Sequence, residues 1–425
     1  MNDTIAACAT AWGHAAIAVV RVSGPDACAV AARVAGTLPP PRHAGVRRFA
    51  DAAGPFDEGV VTVFPGPRSY TGEDVVELAG HGNPLLVERL LAVLGVRLAR
   101  PGEFTRRAFL AGRMDLTRAE AVLATIEARS STGLELARAG LDGRLVAAIE
   151  ALRASLVDVC AELEAVLDYP GEDLLVGSDA ALAARLSELA EEAARLGATW
   201  RAGRIAVEGA RVVLAGPVNA GKSSLFNALL GRPRAIVSPQ AGTTRDAVEA
   251  PLQLHEARLT LVDTAGDREA ADPIEAEGVE LARAEAAGAD LVLRCIPPGG
   301  AVPAARAGEL RVATMCDVGA APPGVLAVSS RSGEGMDALR AAMLGALRGE
   351  APGSAAVVLT SARQAELLGR VAAELREASS TLPYAGAAVA VELGYSALEA
   401  LAELSGSSVR EAVLDRLFAR FCIGK

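Results

Sequence analysis

Between an apolar run, Val212–Ala215, and a helix-favouring stretch, Ser224–Leu230, lies the string Gly216-Pro217-Val218-Asn219-Ala220-Gly221-Lys222-Ser223. That order, strand then glycine-bracketed loop then helix, leaves few folds open. It predicts a loop whose backbone amides turn inward around an anion at the positive end of a helix. Lys222 is placed to reach the β- and γ-phosphates of a nucleotide, and the Ser223 hydroxyl to hold Mg²⁺. Asn219, Ala220, Gly221 and Ser224 complete the cradle. Composition sharpens the point. Of 42 basic residues only Lys222 and Lys425 are lysines. A codon bias toward Ala, Gly and Arg accounts for the scarcity, so a surviving lysine marks a place where a compact ammonium is needed and a forked guanidinium will not serve.

Two further elements follow in order. Ala241-Gly242-Thr243-Thr244-Arg245-Asp246 supplies Thr244 as a second Mg²⁺ ligand, and Asp263-Thr264-Ala265-Gly266 closes the strand Leu259–Val262. Asp263 can bind a water on Mg²⁺, and Gly266 can sense the γ-phosphate. In series the three motifs resemble those of the translation-factor-like GTPases. The base-reading element departs from pattern. A Ras-like domain carries Asn-Lys-x-Asp after its fifth strand, whereas here Arg311–Ala313 lead into Thr314-Met315-Cys316-Asp317. Asp317 can still accept two hydrogen bonds from guanine, and Met315 can supply an uncharged apolar stem over the base. Thr314 is expected to fall short of the reach of an Asn amide, which predicts guanine preference with weakened affinity. Few residues separate Leu291–Ile296 from this point, so a connecting helix is expected to be lost or very short. Ser329-Ser330-Arg331, ahead of Ser332-Gly333-Glu334-Gly335, fits the loop that closes over the base.

The rest of the chain sorts into multi-domain α/β plus all-α architecture. Residues 1–116 alternate β-branched runs (Ala15–Val22, Val60–Phe64, Val75–Leu78) with turns and a helix, Pro84–Leu94, as an α/β domain does. Trp12-Gly13-His14 divides the apolar start into two strands and a turn, which argues against a signal peptide. At Thr117 a capping-box pattern with Glu120 opens an Ala/Leu/Glu-rich helical region, with breaks near Gly133, Gly140–Gly143 and Asp168–Gly171. Helices return after Leu359, interrupted at Pro383–Gly386 and Ser405–Ser408. The expected organisation is an N-terminal domain over 1–116 and a discontinuous helical domain over 117–205 and 348–425. A Ras-like G domain is inserted at 206–347. A net charge of −10 means that any nucleic acid must meet a local basic patch or a partner's surface. Six dispersed cysteines fit a reducing cytoplasm, and no apolar run is long enough to span a bilayer.

Over essentially its whole length the chain resembles the MnmE (TrmE) family of tRNA-modification GTPases. The resemblance rests on Arg21-Val22-Ser23-Gly24-Pro25, Phe64-Pro65-Gly66-Pro67, Tyr70-Thr71-Gly72-Glu73-Asp74 and Gly80-His81-Gly82. It continues through Arg100-Pro101-Gly102-Glu103-Phe104, Arg107-Ala108-Phe109-Leu110, the G motifs and Phe421-Cys422-Ile423-Gly424-Lys425.

That resemblance implies an N-terminal domain similar to tetrahydrofolate-binding aminomethyltransferases, with 5-formyl-tetrahydrofolate at Arg21, Glu77, Arg113 and Lys425. Alone, Glu77 would be equally at home as a paired strand carboxylate. Arg113 stands where the family more often has Lys, and can pair a glutamyl carboxylate bidentately. Cys422 is a candidate nucleophile. The family further implies K⁺-activated hydrolysis with no arginine finger, the ion held by Asn219, Ser238, Gln240 and Thr243. It also implies Glu275 as the carboxylate that orients the attacking water. By spacing alone Glu275 would be a helix-surface residue. The implied partners are a second copy through the N-terminal domains, an FAD-dependent MnmG (GidA)-like protein in a heterotetramer, and tRNA. The alternative is a ribosome-assembly switch of the Era or Der type, whose G motifs would look nearly the same.

Overall fold

The computed structural model describes residues 3–169, 177–231, 248–255, 257–263, 287–348 and 357–425. It divides into two units, each described by itself. One comprises Met1–Leu123, Ile149–Ser187 and Ala373–Lys425, and the other Ala124–Ala148 and Glu188–Ala372.

The first unit is built on β1 (Ile5–Cys8), β2 (Ala15–Ser23), β3 (Gly45–Asp51), β4 (Gly54–Phe64), β5 (Val75–Gly82) and β6 (Arg97–Leu98), in the order β3-β4-β5-β2-β1-β6. Alternation along the strands divides the side chains between two faces. Val20, Val22, Val61, Val63, Val76 and Leu78 pack beneath α1 (Ala27–Ala35) and α2 (Pro84–Leu94). Val19, Arg21, Glu77 and Ala79 belong to the opposite face, where Arg21 pairs with Glu77 across β2 and β5. Asn83 and Pro84 explain the sharp start of α2: the Asn83 side chain accepts the Leu85 amide at 3.0 Å, and proline sits at the first turn. Helix α3 (Glu103–Leu110) leads to α4 (Leu116–Glu127). The expected cap at Thr117 is corrected here. Asp115 is the cap, its Oδ1 accepting the Arg118 amide at 2.8 Å and the Thr117 hydroxyl at 2.5 Å. An Asp two residues upstream outcompetes the Thr because its carboxylate takes both donors.

The second unit contains α5 (Ser131–Leu141), the short helix α8 (Trp200–Glu208) and a second sheet. Long helices α6 (Arg144–Asp168) and α7 (Asp179–Ala198) lie between α5 and α8 in the chain and contribute residues to both units. The break expected near Gly133 falls at residues 128–130, between α4 and α5. This glycine lies inside α5 at its contact with α8, where an added Cβ would collide with the Ala206 carbonyl. Ser130 caps α5 by accepting the Gly133 amide at 2.9 Å and donates to that same carbonyl at 2.6 Å. The sheet comprises β7 (Ala210–Ala215), β8 (Val248–Leu254), β9 (Ala257–Asp263), β10 (Leu291–Ile296), β11 (Glu309–Ala313) and β12 (Leu326–Ala327), ordered β12-β11-β10-β7-β9-β8. All neighbours are parallel except the edge pair β8 and β9. Helices α9 (Lys222–Leu230) and α10 (Met336–Arg348) bury Leu225, Phe226, Leu339 and Met343 against Val212, Leu214, Leu261 and Leu293. Residues 297–308 carry no helix, as expected; Pro297, Pro298, Gly299, Gly300 and Pro303 disfavour one. The C-terminal helices are α11 (Ala362–Ala385), α12 (Ala387–Ser405) and α13 (Glu411–Phe418). No helix among the described residues is long and apolar enough to cross a membrane.

Candidate functional site

The phosphate loop joins the end of β7 to the start of α9. Gly216 has φ 145° and backs onto the Cys295 carbonyl, 2.5 Å from where a Cβ would stand, and Gly221 turns into the helix at φ 78°. No other residue type fits either place without strain. Asn219 also sits in the left-handed region, at φ 62°, with its side chain exposed at the loop crest. Lys222 is only 7% exposed, and its Nζ donates to the carbonyls of Gly216 at 2.8 Å and Pro217 at 3.0 Å. The ammonium is therefore held against the loop itself.

Ser223 Oγ donates to Asp263 Oδ2 at 2.6 Å, and Asp263 Oδ1 is buried with no hydrogen-bond partner among the described residues. A buried carboxylate oxygen without a donor is costly unless something positive completes it. Together with a serine hydroxyl it is a hard oxygen donor set, and it fits Mg²⁺. Six expected residues, Ser238, Gln240, Thr243, Thr244, Gly266 and Glu275, lie outside the described residues.

At the far end of the sheet, Thr314 is 5% exposed and its Oγ1 lies 2.7 Å from the Ala220 carbonyl and 3.1 Å from that of Ile296. The close approach of β11 to the loop lets this one hydroxyl meet both carbonyls. Met315, at φ 57°, places Cε 3.0 Å from where a Cβ on Gly221 would stand. The Met315 carbonyl accepts the amides of Val318 and Gly319, leaving Asp317 exposed at the turn between them. Ser329 is fully buried, and its Oγ accepts the amides of Arg331 at 3.2 Å and Ser332 at 3.1 Å. The intervening Ser330 amide has no partner among the described residues.

In the first unit, Arg21 donates from Nε and Nη2 to Glu77 Oε1 at 3.0 and 2.8 Å. Its guanidinium lies over the rings of Tyr70 (5.2 Å) and Phe104 (5.7 Å), close enough for cation–π attraction. It also donates to the Gly424 carbonyl at 3.3 Å, while the Phe104 amide donates to the Lys425 carbonyl. The segment ending in Cys422 and Lys425 is thus folded onto the Arg21 site. Burial pushes the Tyr70 phenol up, against its bond to Thr105 and the nearby Arg21 charge. Arg113 lies beside Gly72 in the loop that carries Tyr70, and its side chain is exposed, as is that of Cys422. Sequence reasoning does not single out Tyr70 and Phe104 as ring partners. They occur inside the quoted motif strings, but only the fold shows that both rings meet one guanidinium.

A parallel sheet with one antiparallel edge strand, a phosphate loop leaving an inner strand and an aspartate at the end of the neighbouring strand define a P-loop GTPase of Ras-like topology. The family model described as "GTP-binding protein TrmE N-terminus" matches residues 4–113, and that of the "MnmE helical domain" matches 116–422. The chain belongs to the MnmE family of tRNA-modification GTPases. The tRNA modification GTPase MnmE of Myxococcus xanthus is 45% identical over 99% of each chain. That of Thermus thermophilus is 45% identical over 100% of each. Era from Aquifex aeolicus, solved with GDP and aluminium fluoride, is 25% identical over 40% of this chain and 66% of that one. Its TM-score of 0.27 is too low to carry geometry across. Family membership decides between the two readings of the G motifs in favour of tRNA modification.

Proposed function

We propose that this chain hydrolyses GTP and, with an FAD-dependent MnmG-like partner, installs an aminomethyl-type (carboxymethylaminomethyl) group on the wobble uridine of certain tRNAs in the cytoplasm. The observation that carries the hydrolytic part is the Ser223–Asp263 pair, whose buried Oδ1 has no hydrogen-bond partner among the described residues. Ser223 and Thr244 would hold Mg²⁺ directly and Asp263 through water; bound there, the metal neutralises charge on the β- and γ-phosphates. The loop amides and Lys222 bind and orient the triphosphate, Asp317 with Ser329, Ser330 and Arg331 holds the base, Gly266 senses the γ-phosphate, and Glu275 positions water.

Asn219, Ser238, Gln240 and Thr243 are assigned to K⁺, which supplies the positive charge that an arginine finger supplies elsewhere. The exposed amide of Asn219 at the loop crest supports its place in that set. Turnover in K⁺ is expected to exceed turnover in Na⁺ by at least about tenfold, the order of a lost transition-state charge contact; equal rates in the two salts would contradict this assignment.

The folate assignment gives Arg21 and Glu77 the polar end of the donor, with Arg113 and Lys425 on its carboxylates. When bound, 5-formyl-tetrahydrofolate supplies a one-carbon unit. Tyr70 and Phe104 offer flat surfaces of the kind a pterin ring stacks upon, which supports the reading. Cys422 remains a candidate nucleophile. Domain limits of 1–116, 117–205 with 348–425, and 206–347 go with this function. Pairing of two copies through the N-terminal domains is supported by the exposed Trp12 and Ile17 of the β1–β2 hairpin. Val46 and Val60 support it too, since they join the sheet face turned away from α1 and α2. A homodimer then joins two MnmG-like chains in a heterotetramer. Mass spectrometry of tRNA nucleosides from a strain lacking this chain should show unmodified wobble uridine in the affected tRNAs. Unchanged wobble nucleosides would remove the modification claim.

A further inference from the structure

We propose that Thr314 makes this chain blind to purine N7, so that guanine is read through its N1 and 2-amino edge by Asp317. This rests on the guanine-nucleotide reading above and narrows it to particular atoms of the base.

An Asn at this place would carry two amide protons and a carbonyl oxygen, enough to tether the phosphate loop and still donate to a purine ring nitrogen. A threonine hydroxyl has one proton. Here it faces two carbonyls, those of Ala220 at 2.7 Å and Ile296 at 3.1 Å, in a site only 5% exposed. Whichever carbonyl takes the proton, none is left for a base. The tether to the loop survives and the second contact does not.

The neighbour does not restore it. Met315 lies against Gly221 with its terminal methyl, and its thioether is a weak acceptor that has no proton to give. The Cys316 amide is bound to the Val328 carbonyl at 3.2 Å, and those of Val318 and Gly319 to the Met315 carbonyl. Asp317 is the exposed carboxylate of this turn. It can accept from both N1–H and the 2-amino group, a pattern that guanine presents and adenine lacks. N7 is an acceptor on both purines. Losing its donor therefore lowers affinity for either purine alike and leaves the preference for guanine intact.

The test is isothermal titration of the full chain with GDP, 7-deaza-GDP and inosine diphosphate. GDP and 7-deaza-GDP should bind within about twofold of one another, and inosine diphosphate at least about tenfold more weakly, since it lacks one donor to a charged acceptor. In Thr314→Asn, GDP should bind about three- to tenfold more tightly than 7-deaza-GDP. A preference of the native chain for GDP over 7-deaza-GDP of about tenfold would overturn the proposal, whether or not the variant folds. So would inosine diphosphate binding as well as GDP, which would dismiss Asp317 as the reader. Failure of all guanine-type nucleotides to bind would instead sink the GTPase reading on which this one stands.

Discussion

Lys222→Met will reduce GTP turnover at saturating nucleotide by about 10²- to 10³-fold, the order expected when one preorganised donor to a developing phosphate charge is removed. The methionine keeps the apolar stem that the loop buries and deletes only the ammonium. In the native chain Lys222 is 7% exposed and its ammonium is held by the carbonyls of Gly216 and Pro217. Lys222→Arg is the sharper control, since arginine serves at every other basic position but Lys425. A planar fork carries five donors in fixed directions and more bulk than an ammonium. At a residue only 7% exposed, whose head already meets two loop carbonyls, that bulk must displace neighbours. Its turnover should also fall by at least about tenfold, as an overpacked, misdirected donor implies. Phosphate release under single-turnover conditions checks both variants. A Met variant within about tenfold of the native rate would mean that the ammonium does not act on the transferred phosphoryl group.

Where a local signal dominates, sequence and structure agree closely. Helix α2 begins and ends where Asn83-Pro84 and Gly95 say it should, because a side-chain cap, a preset φ and a left-handed residue each act within one turn. Strand β10 matches its predicted limits because an inner parallel strand is nearly continuously apolar, Arg294 alone interrupting the run and Pro297 ending it. The phosphate loop is legible for the same reason: its glycines answer to the backbone around them.

Misreadings arise where a distant partner decides. The break read near Gly133 falls just ahead of it, and the glycine itself stays inside α5 because α8 comes so close that only glycine fits. What the Thr314 hydroxyl meets likewise depends on how near β11 runs to the loop. Asp115 displaces Thr117 as a cap because charge strengthens its two bonds. The folding of Gly424 and Lys425 onto Arg21 spans nearly the entire chain, and no periodicity records it. Family resemblance names Arg21, Glu77 and Lys425 together before any geometry can, whereas spacing alone could not have joined them.

The same limit hides the largest charged network of the first unit, and its removal should be the costliest change there. Arg107 is 2% exposed and meets Asp3 at 2.8 Å, Glu73 at 3.0 Å and Glu103 at 3.1 Å, while donating to the Asp3 carbonyl at 2.7 Å. Arg97 joins the Asp3 and Glu103 carboxylates from the other side, each at 2.7 Å. Arg107→Met leaves the buried Glu103 carboxylate beside the half-buried Glu73 and the exposed Asp3 with one cation fewer. Breaking a buried pair from one side costs about 3–5 kcal/mol, and the exposure of Asp3 and Glu73 puts this change at the lower end, about 3 kcal/mol. The melting temperature should then fall by on the order of 10 °C.

Acid supplies an independent check. Burial alone would raise Glu103, but its bond to Arg97, the Arg100 amide and Arg107 outweigh this and bring its pKa down from 4.5 to about 2. A carboxyl depressed on folding adds stability above its unfolded pKa and gives it up as pH falls toward the folded one. The native chain should therefore lose this contribution between pH 4.5 and about 2. Arg107→Met, having forfeited part of it already, should lose less over the same interval, so the two melting curves converge on acidification. Parallel curves down to about pH 3, or melting temperatures within about 2 °C of each other near neutrality, would show that the guanidinium is dispensable there and that Arg97 alone holds the acids in place.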